Sequence, residues 1–399
     1  MNERHISKSI LRYASEYPII GIVGPRQSGK TTLSKALFPN YKYVSLESPD
    51  IRLMAKEDPR AFLNDLSNSL IIDEIQRVPE LFSYLQELVD ADPTPGRFII
   101  TGSQQFLLME GVTQSLAGRI AIFHLLPFSI SELYCQPPSA FISEKTLRNG
   151  RDIFNISFSE LAINGFYPRI HDRKLDPVKW YQEYINTYVE KDVRTITQVA
   201  DLNLFILMLK ILAGRSGQIV NYASISNDIG ISLPTVKRWI SILETSGILF
   251  TVRPYHSNFG KRLIKSPKIF FTDIGILCSL LSITNTQNLR SHPLYGSIFE
   301  NFIIAELHKS ILHSSLHADL YFWRDLTGNE IDCLIEQNSE LIAIEIKSSQ
   351  TYNSSFKNTL IKWMPIVGSK TQKGFVVYDG ETVPGEKDSV KVTSWRDIL

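Results

Sequence analysis

The stretch GPRQSGKTT, Gly24 through Thr32, satisfies the spacing G-x-x-x-x-G-K-[ST], with Gly24, Gly29, Lys30 and Thr31 in the four fixed places. That pattern is suited to phosphate. Glycines let the backbone wrap closely enough for its N–H groups to point inward, and the helix that follows brings the positive end of its dipole. Lys30 is placed to reach the β- and γ-phosphates of a nucleotide, and the Thr31 hydroxyl offers an oxygen to Mg²⁺. The whole loop (Gly24, Pro25, Arg26, Gln27, Ser28, Gly29, Lys30, Thr31 and Thr32) is therefore expected to bind ATP.

A phosphate cradle also needs an acid for the metal and a base for water. The run SLIIDEIQ supplies both at the end of an apolar strand: Asp73 to hold Mg²⁺ and Glu74 to polarise the attacking water. A third strand, RFIITGS, ends in small polar residues. Ser103 is the residue expected to touch the γ-phosphate or the water, with Thr101 as the alternative.

A second constellation lies near the C-terminus. GSIFENFIIAELHKS reads as an amphipathic helix with Glu300 among apolar residues, and YFWRDLTGNEIDCLIEQ and ELIAIEIKSSQ read as successive strands. Asp332 follows the turn TGNEI, and Glu345 and Lys347, two apart on a strand, share one face. An acid, then E-x-K, with a glutamate from a preceding helix, is an arrangement for one or two divalent metals beside a scissile phosphate. Glu300, Asp332 and Glu345 are the expected ligands, with Lys347 beside them. Charges in so apolar a strand are costly to bury without partners. Glu and Lys at i, i+2 are also common in edge strands, so cleavage and a binding platform without cleavage both stay open.

Between these constellations the pattern is helix, short helix, turn, longer helix, strand: NLFILMLKILAGRSG, NYASISNDIG, ISLPTVKRWISILETSGI and LFTVRPY. This looks like a winged helix-turn-helix. Ser232 can cap the longer helix and Pro234 fits its first turn. Lys237 and Arg238 fall on its polar side, and the wing adds Arg253, Lys261, Arg262, Lys265 and Lys268. A local basic cluster in a protein of formal net charge +1 is an electrostatic footprint for double-stranded DNA. Winged helices also dock proteins, and that alternative is kept.

These residues need elements to position them. The apolar strands YKYVSLE, LIIDE, RFIITGS and IAIFHLL alternate with helical segments such as DIRLMAKEDPRAFLNDL and PELFSYLQELVDA, which implies a parallel sheet covered on both faces. Residues 136–200 read as a polar loop followed by a helical connector, with Trp180, Tyr184 and Tyr188 at core spacing. Its turn NGFYPRI could pack back toward the nucleotide. The 399 residues, 43% hydrophobic and 21% charged, are those of a soluble chain of two to four domains. Cys135, Cys278 and Cys333 are too scattered for a disulfide framework or a thiolate metal site. No apolar run reaches the roughly 18 residues of a membrane span, so no membrane partner and a cytoplasmic location are expected.

Residues 15–135 resemble the AAA+ class of ATPases in the order of loop, acid pair, polar strand end and a helix closing in SLAGRI. The resemblance implies that Arg119 reaches across a subunit boundary to a neighbour's γ-phosphate in a homo-oligomer; the other reading is an ordinary surface arginine. PFSISELY follows the last strand without the usual helical lid and its second sensor arginine. The tail resembles the PD-(D/E)xK nuclease fold, with all four positions filled. The chain as a whole is similar to a group of prokaryotic AAA-type ATPases whose C-terminal half is a domain of unknown function, which implies a bacterial or archaeal cytoplasm. The expected architecture is α/β: an AAA+ P-loop domain over 1–135, linker and connector over 136–200, winged helix over 201–272 and a small α/β restriction-endonuclease-like domain over 290–399.

Overall fold

The computed structural model describes residues 2–64, 69–103, 115–138, 156–188, 202–256, 266–367, 371–384 and 389–399. The chain divides into two compact units, the first Met1–Phe128 with the short pieces 245–248 and 312–315, the second the remainder.

In the first unit, β1 (Ile19–Val23), β2 (Lys42–Ser45), β3 (Leu70–Asp73), β4 (Phe98–Gly102) and β5 (Ile120–His124) form one sheet in the order β2-β3-β4-β1-β5. Every pairing is parallel, as the alternation of strands and helices predicts. Both faces are buried. Ile19 and Val23 of β1 pack with Leu70, Ile72, Phe98 and Ile100 on one side, while Ile20 and Ile22 pack with Ile71, Ile99 and Phe123 on the other. Successive side chains of a strand point to opposite faces, so a doubly covered sheet needs unbroken apolar runs. Because β4 lies between β1 and β3, the C-terminal ends of all three stand side by side, and the crevice beyond such ends is where open α/β sheets bind ligands.

The second unit is built on a seven-stranded mixed sheet in the order β12-β11-β10-β9-β8-β6-β7. Its strands are β6 (Leu249–Pro254), β7 (Lys268–Phe271), β8 (Asp319–Arg324), β9 (Glu330–Gln337), β10 (Glu340–Lys347), β11 (Thr371–Tyr378) and β12 (Val390–Ser394). Helices Leu202–Gly214, Tyr222–Ile229 and Leu233–Thr245 precede the antiparallel pair β6–β7. Ser232 accepts from the Thr235 N–H and Pro234 sits in the first turn of Leu233–Thr245, as the sequence suggests. Helix Tyr295–His313, the antiparallel β8, β9 and β10, helix Asn358–Val367 and the parallel β11 and β12 follow. Arg253 and Pro254 of β6 pair with Tyr321 and Phe322 of β8. The segments expected as 201–272 and 290–399 thus share one sheet.

The turn at Gly165 packs within this second unit. The Phe166 N–H donates to Asp273, which caps helix Ile274–Leu280 through the N–H groups of Gly275 and Ile276. Gly165 has φ +55°, and a Cβ there would lie 1.9 Å from the Tyr181 hydroxyl oxygen, so only glycine fits. Tyr181 and Tyr184 are buried, and Trp180 stacks on Tyr184 at 5.1 Å. Lys261, Arg262, Lys265 and the Tyr188 side chain lie outside the described residues.

Candidate functional site

The loop Gly24–Thr32 joins the end of β1 to the helix Lys30–Leu37. Gly24 has φ +151°, and a Cβ on it would stand 2.1 Å from the Leu125 carbonyl oxygen. Gly29, at φ +100°, makes the left-handed entry to the helix. The Lys30 ammonium is buried and donates to the carbonyls of Gly24 and Pro25, both at 2.9 Å. Ser28 Oγ is buried in the loop with no hydrogen-bond partner.

Asp73 and Glu74 are consecutive yet differently employed. Asp73, ending β3, accepts from Thr31 Oγ1 at 3.1 and 3.2 Å, from the Tyr43 hydroxyl at 2.8 Å and from Thr101 Oγ1. Glu74 adopts a left-handed conformation (φ +58°), which turns its side chain away from the strand direction. Its Oε2 accepts from Ser103 Oγ at 2.9 Å and from Gln76 Nε2. The two polar residues at this end of the sheet are therefore divided: Thr101, on β4, bonds Asp73, and Ser103, just past the strand, bonds Glu74. Strained non-glycine backbone of this kind concentrates at functional sites.

Two partners were missed by sequence reasoning. Tyr43 sits on β2 opposite Ile71, two pairs before Ser45 meets Asp73, and its hydroxyl reaches the carboxylate from the neighbouring strand. Burial and the Asp73 carboxylate hold its phenol well above the ordinary range, so it stays a donor. Arg4 is buried, donates to the carbonyls of Ser28 at 3.0 Å and Leu126 at 2.5 Å, and lies over the Phe128 ring. Arg119 forms a two-pronged bond with Asp90, at 2.6 and 2.9 Å. That pairing holds the Asp90 carboxyl below its usual range.

In the second unit, Glu300 comes from helix Tyr295–His313, Asp332 from β9, and Glu345 and Lys347 from β10. The β9–β10 register pairs Cys333 with Ile344; just beyond it Asp332 accepts the Ile346 N–H at 2.7 Å. Lys347 donates to Glu345 Oε1 at 2.6 Å, and the buried Glu345 Oε2 has no hydrogen-bond partner. Burial and then the Asp332 charge push Glu300 up to about 8 and Glu345 up to about 7. Burial also raises Asp332.

Lys268 corrects the sequence reading. It was expected on a basic wing surface, but it is 3% exposed, bonded to Glu300 Oε1 at 3.1 Å and to Glu330 Oε1. Burial works against its charge most strongly, yet Glu300, Glu330 and Asp332 together hold it protonated above its ordinary range. Among the described residues no three His, Cys, Asp or Glu side chains converge closely enough to hold a metal ion. Glu300, Asp332 and Glu345 are electrostatic neighbours, but two of them are bonded to lysines. Lys237 and Arg238 are exposed on helix Leu233–Thr245, whose Val236, Trp239 and Ile240 are buried, and Arg253 is exposed on β6. Among the described residues no helix is long and apolar enough to cross a membrane.

Residues 16–134 match the family described as AAA domain. Residues 155–287 and 295–398 match two families described as domains of unknown function, DUF8612 and DUF4143. The chain is similar to the uncharacterized protein Rv2008c of Mycobacterium tuberculosis, at 28% identity over 88% of this chain and 75% of that one. It is also similar to the uncharacterized protein MJ1637 of Methanocaldococcus jannaschii, at 25% identity over 96% of this chain and 84% of that one. Among solved structures, the Walker-type ATPase PABY2304 of Pyrococcus abyssi aligns over 69% of this chain and 94% of its own, at 15% identity and a TM-score of 0.42. Residues 16–134 are thus an AAA-type P-loop domain, followed by two segments from families without an assigned function.

Proposed function

We propose that the protein binds and hydrolyses ATP at the Gly24–Thr32 loop, and that nucleotide state governs a second unit that contacts double-stranded DNA through Lys237 and Arg238. The division of labour between Asp73 and Glu74 supports the hydrolytic reading most directly. Asp73 and the Thr31 hydroxyl form an oxygen-only donor pair suited to Mg²⁺, and the partnerless Ser28 Oγ and the glycine-only approach at Gly24 suit an anion. Bound there, Mg²⁺ would neutralise charge on the β- and γ-phosphates. Lys30 would exchange its loop carbonyls for phosphate oxygens, while Glu74, held by Ser103, would orient a water in line with the γ-phosphorus. Water adds to that phosphorus as its bond to the bridging oxygen breaks, releasing ADP and phosphate. Arg119 would act on a neighbouring subunit only after leaving Asp90.

The test is Glu74→Gln, which keeps a hydrogen-bonding group but removes the charge. ATP binding should be retained while turnover falls by about 100-fold or more. Wild-type turnover in this variant would remove Glu74 from the role.

For the second unit, the order helix, β8, β9, β10, helix, β11 supports a nuclease-like architecture, but the carboxylates do not fit a three-ligand metal centre, and no cleavage step is derived through one. DNA contact rests on the exposed cations of helix Leu233–Thr245. The burial of Lys268 shrinks the expected basic surface and favours a second reading, an ATP-dependent switch that docks a protein partner. Titration of duplex DNA at rising salt separates the two, since released counterions make phosphate binding weaken with salt.

A further inference from the structure

The two lysines of the second unit's acidic cluster do different things. Lys347 lies on β10 beside Glu345, where the E-x-K spacing puts it. Lys268 enters from β7, a strand that belongs to the helix-and-hairpin part of the chain, and bridges Glu300 on a helix to Glu330 on β9. Its Nζ lies over the Phe322 ring, 5.4 Å from the ring centre. Gly217 leaves room for the far side of the bridge: it has φ +77°, and a Cβ on it would lie 3.3 Å from Glu300 Oε2.

We propose that Lys268 is the resident cation of this cluster, standing in for the divalent metal that the spacing of Glu300, Asp332 and Glu345 suggests, so that the cluster is a structural ion network and not a hydrolytic centre. A buried ammonium between carboxylates from two elements does the electrostatic task of a bridging metal: it neutralises converging acids and ties their elements together. Lys268 and Lys347 meet carboxylates from three elements of the cluster, Lys268 bonding Glu300 and Glu330 and Lys347 bonding Glu345. Glu330 has a further cation, Arg324, with Nη1 at 3.4 Å, whereas among the described residues Glu300 is ion-paired with Lys268 alone. The inference rests on the second unit alone and stands or falls independently of ATP turnover.

The experiment uses the full chain without nucleotide and Mn²⁺ alone as probe, followed by the signal of free Mn²⁺, with Glu345→Gln identifying binding at this cluster. The unaltered protein should show no Glu345-dependent Mn²⁺ binding up to millimolar concentration and no Mg²⁺- or Mn²⁺-dependent cutting of duplex DNA. Lys268→Met should lower the melting temperature, and Lys268→Met with Glu300→Gln should recover most of that loss, because the acid left alone has been neutralised. Where Lys268→Met folds, it should gain Mn²⁺ binding that Glu345→Gln removes. Stoichiometric, Glu345-dependent Mn²⁺ binding by the unaltered protein would overturn the proposal, as would cleavage abolished by Asp332→Ala. Failure of the double variant to recover stability would also overturn it, since Lys268 would then matter for packing and not for charge. ATP turnover measured in parallel reports on the first unit and distinguishes failure there from failure here.

Discussion

Lys30 and Lys268 are both buried lysines, one in each unit, and both are hydrogen-bonded. Their partners differ. Lys30 donates to backbone carbonyls five and six residues back in its own loop, whereas Lys268 bonds carboxylates, one of them 32 residues away. A carbonyl offers an ammonium only a dipole, whereas a carboxylate offers an opposite full charge, so an incoming phosphate competes more readily for Lys30 on its carbonyls than for Lys268 between its acids. The first arrangement suits a site that exchanges ligands. The second suits a joint.

The comparison breaks most decisively at the loop. Lys30→Ala should abolish both ATP binding and turnover, unlike Glu74→Gln, and fluorescent-nucleotide binding beside a phosphate-release assay checks the pair. If Lys30→Ala still bound nucleotide normally, the lysine would be as fixed in place as Lys268. Next in size, Lys237→Ala with Arg238→Ala should weaken duplex DNA binding by roughly 10-fold and flatten the log–log salt slope by about 2, if each cation neutralises one phosphate. Unchanged DNA binding would shift the reading to a protein partner.

A smaller effect sharpens the first unit. Tyr43→Phe removes one donor from Asp73 while Thr31 and Thr101 remain, and should raise the Mg²⁺ concentration for half-maximal turnover by roughly 3- to 10-fold, with little change in maximal rate. A change confined to maximal rate would count against a positioning role. The smallest concerns pH. Glu300 and Glu345, facing Asp332, Glu330, Lys268 and Lys347, have folded values raised above the ordinary 4.5. The folded state therefore holds extra protons, and the stability they contribute is lost as pH rises toward about 8. Thermal melts should show stability of the second unit falling through neutrality, with a shallower fall in Glu300→Gln; identical slopes would mean that Glu300 does not titrate there.

The loop and the acid pair were legible because each is contiguous and each lies at a strand end that its apolar run announces. The parallel sheet was legible for the same reason: Ile19–Val23 and Leu70–Asp73 are apolar enough to be covered on both sides. Tyr43 was not legible, since its task depends on β2 lying beside β3, and the alternation of Tyr43 and Ser45 in KYVS is only a faint sign of it. Lys268 was misassigned because a lysine opening the apolar strand KIFF reads equally well as a solvated strand end. Its acids lie on a helix and a strand far along the chain, and only folding brings them within reach. Arg4 escaped for a similar reason, its two acceptors standing 24 and 122 residues away.

The pairing of Arg253 and Pro254 with Tyr321 and Phe322 bears on how this protein can be inherited and dissected. Two families meet between residues 287 and 295, which invites a cut there and the treatment of each side as an interchangeable module. A cut at that line would strip β6 of its neighbour and leave an unsatisfied sheet edge of the kind that promotes aggregation. It would also strand Lys268 from both of its acids. Recombination that shuffled one side without the other would meet the same penalty, so the two segments should travel through genomes as a single heritable piece, even though sequence comparison counts them as two.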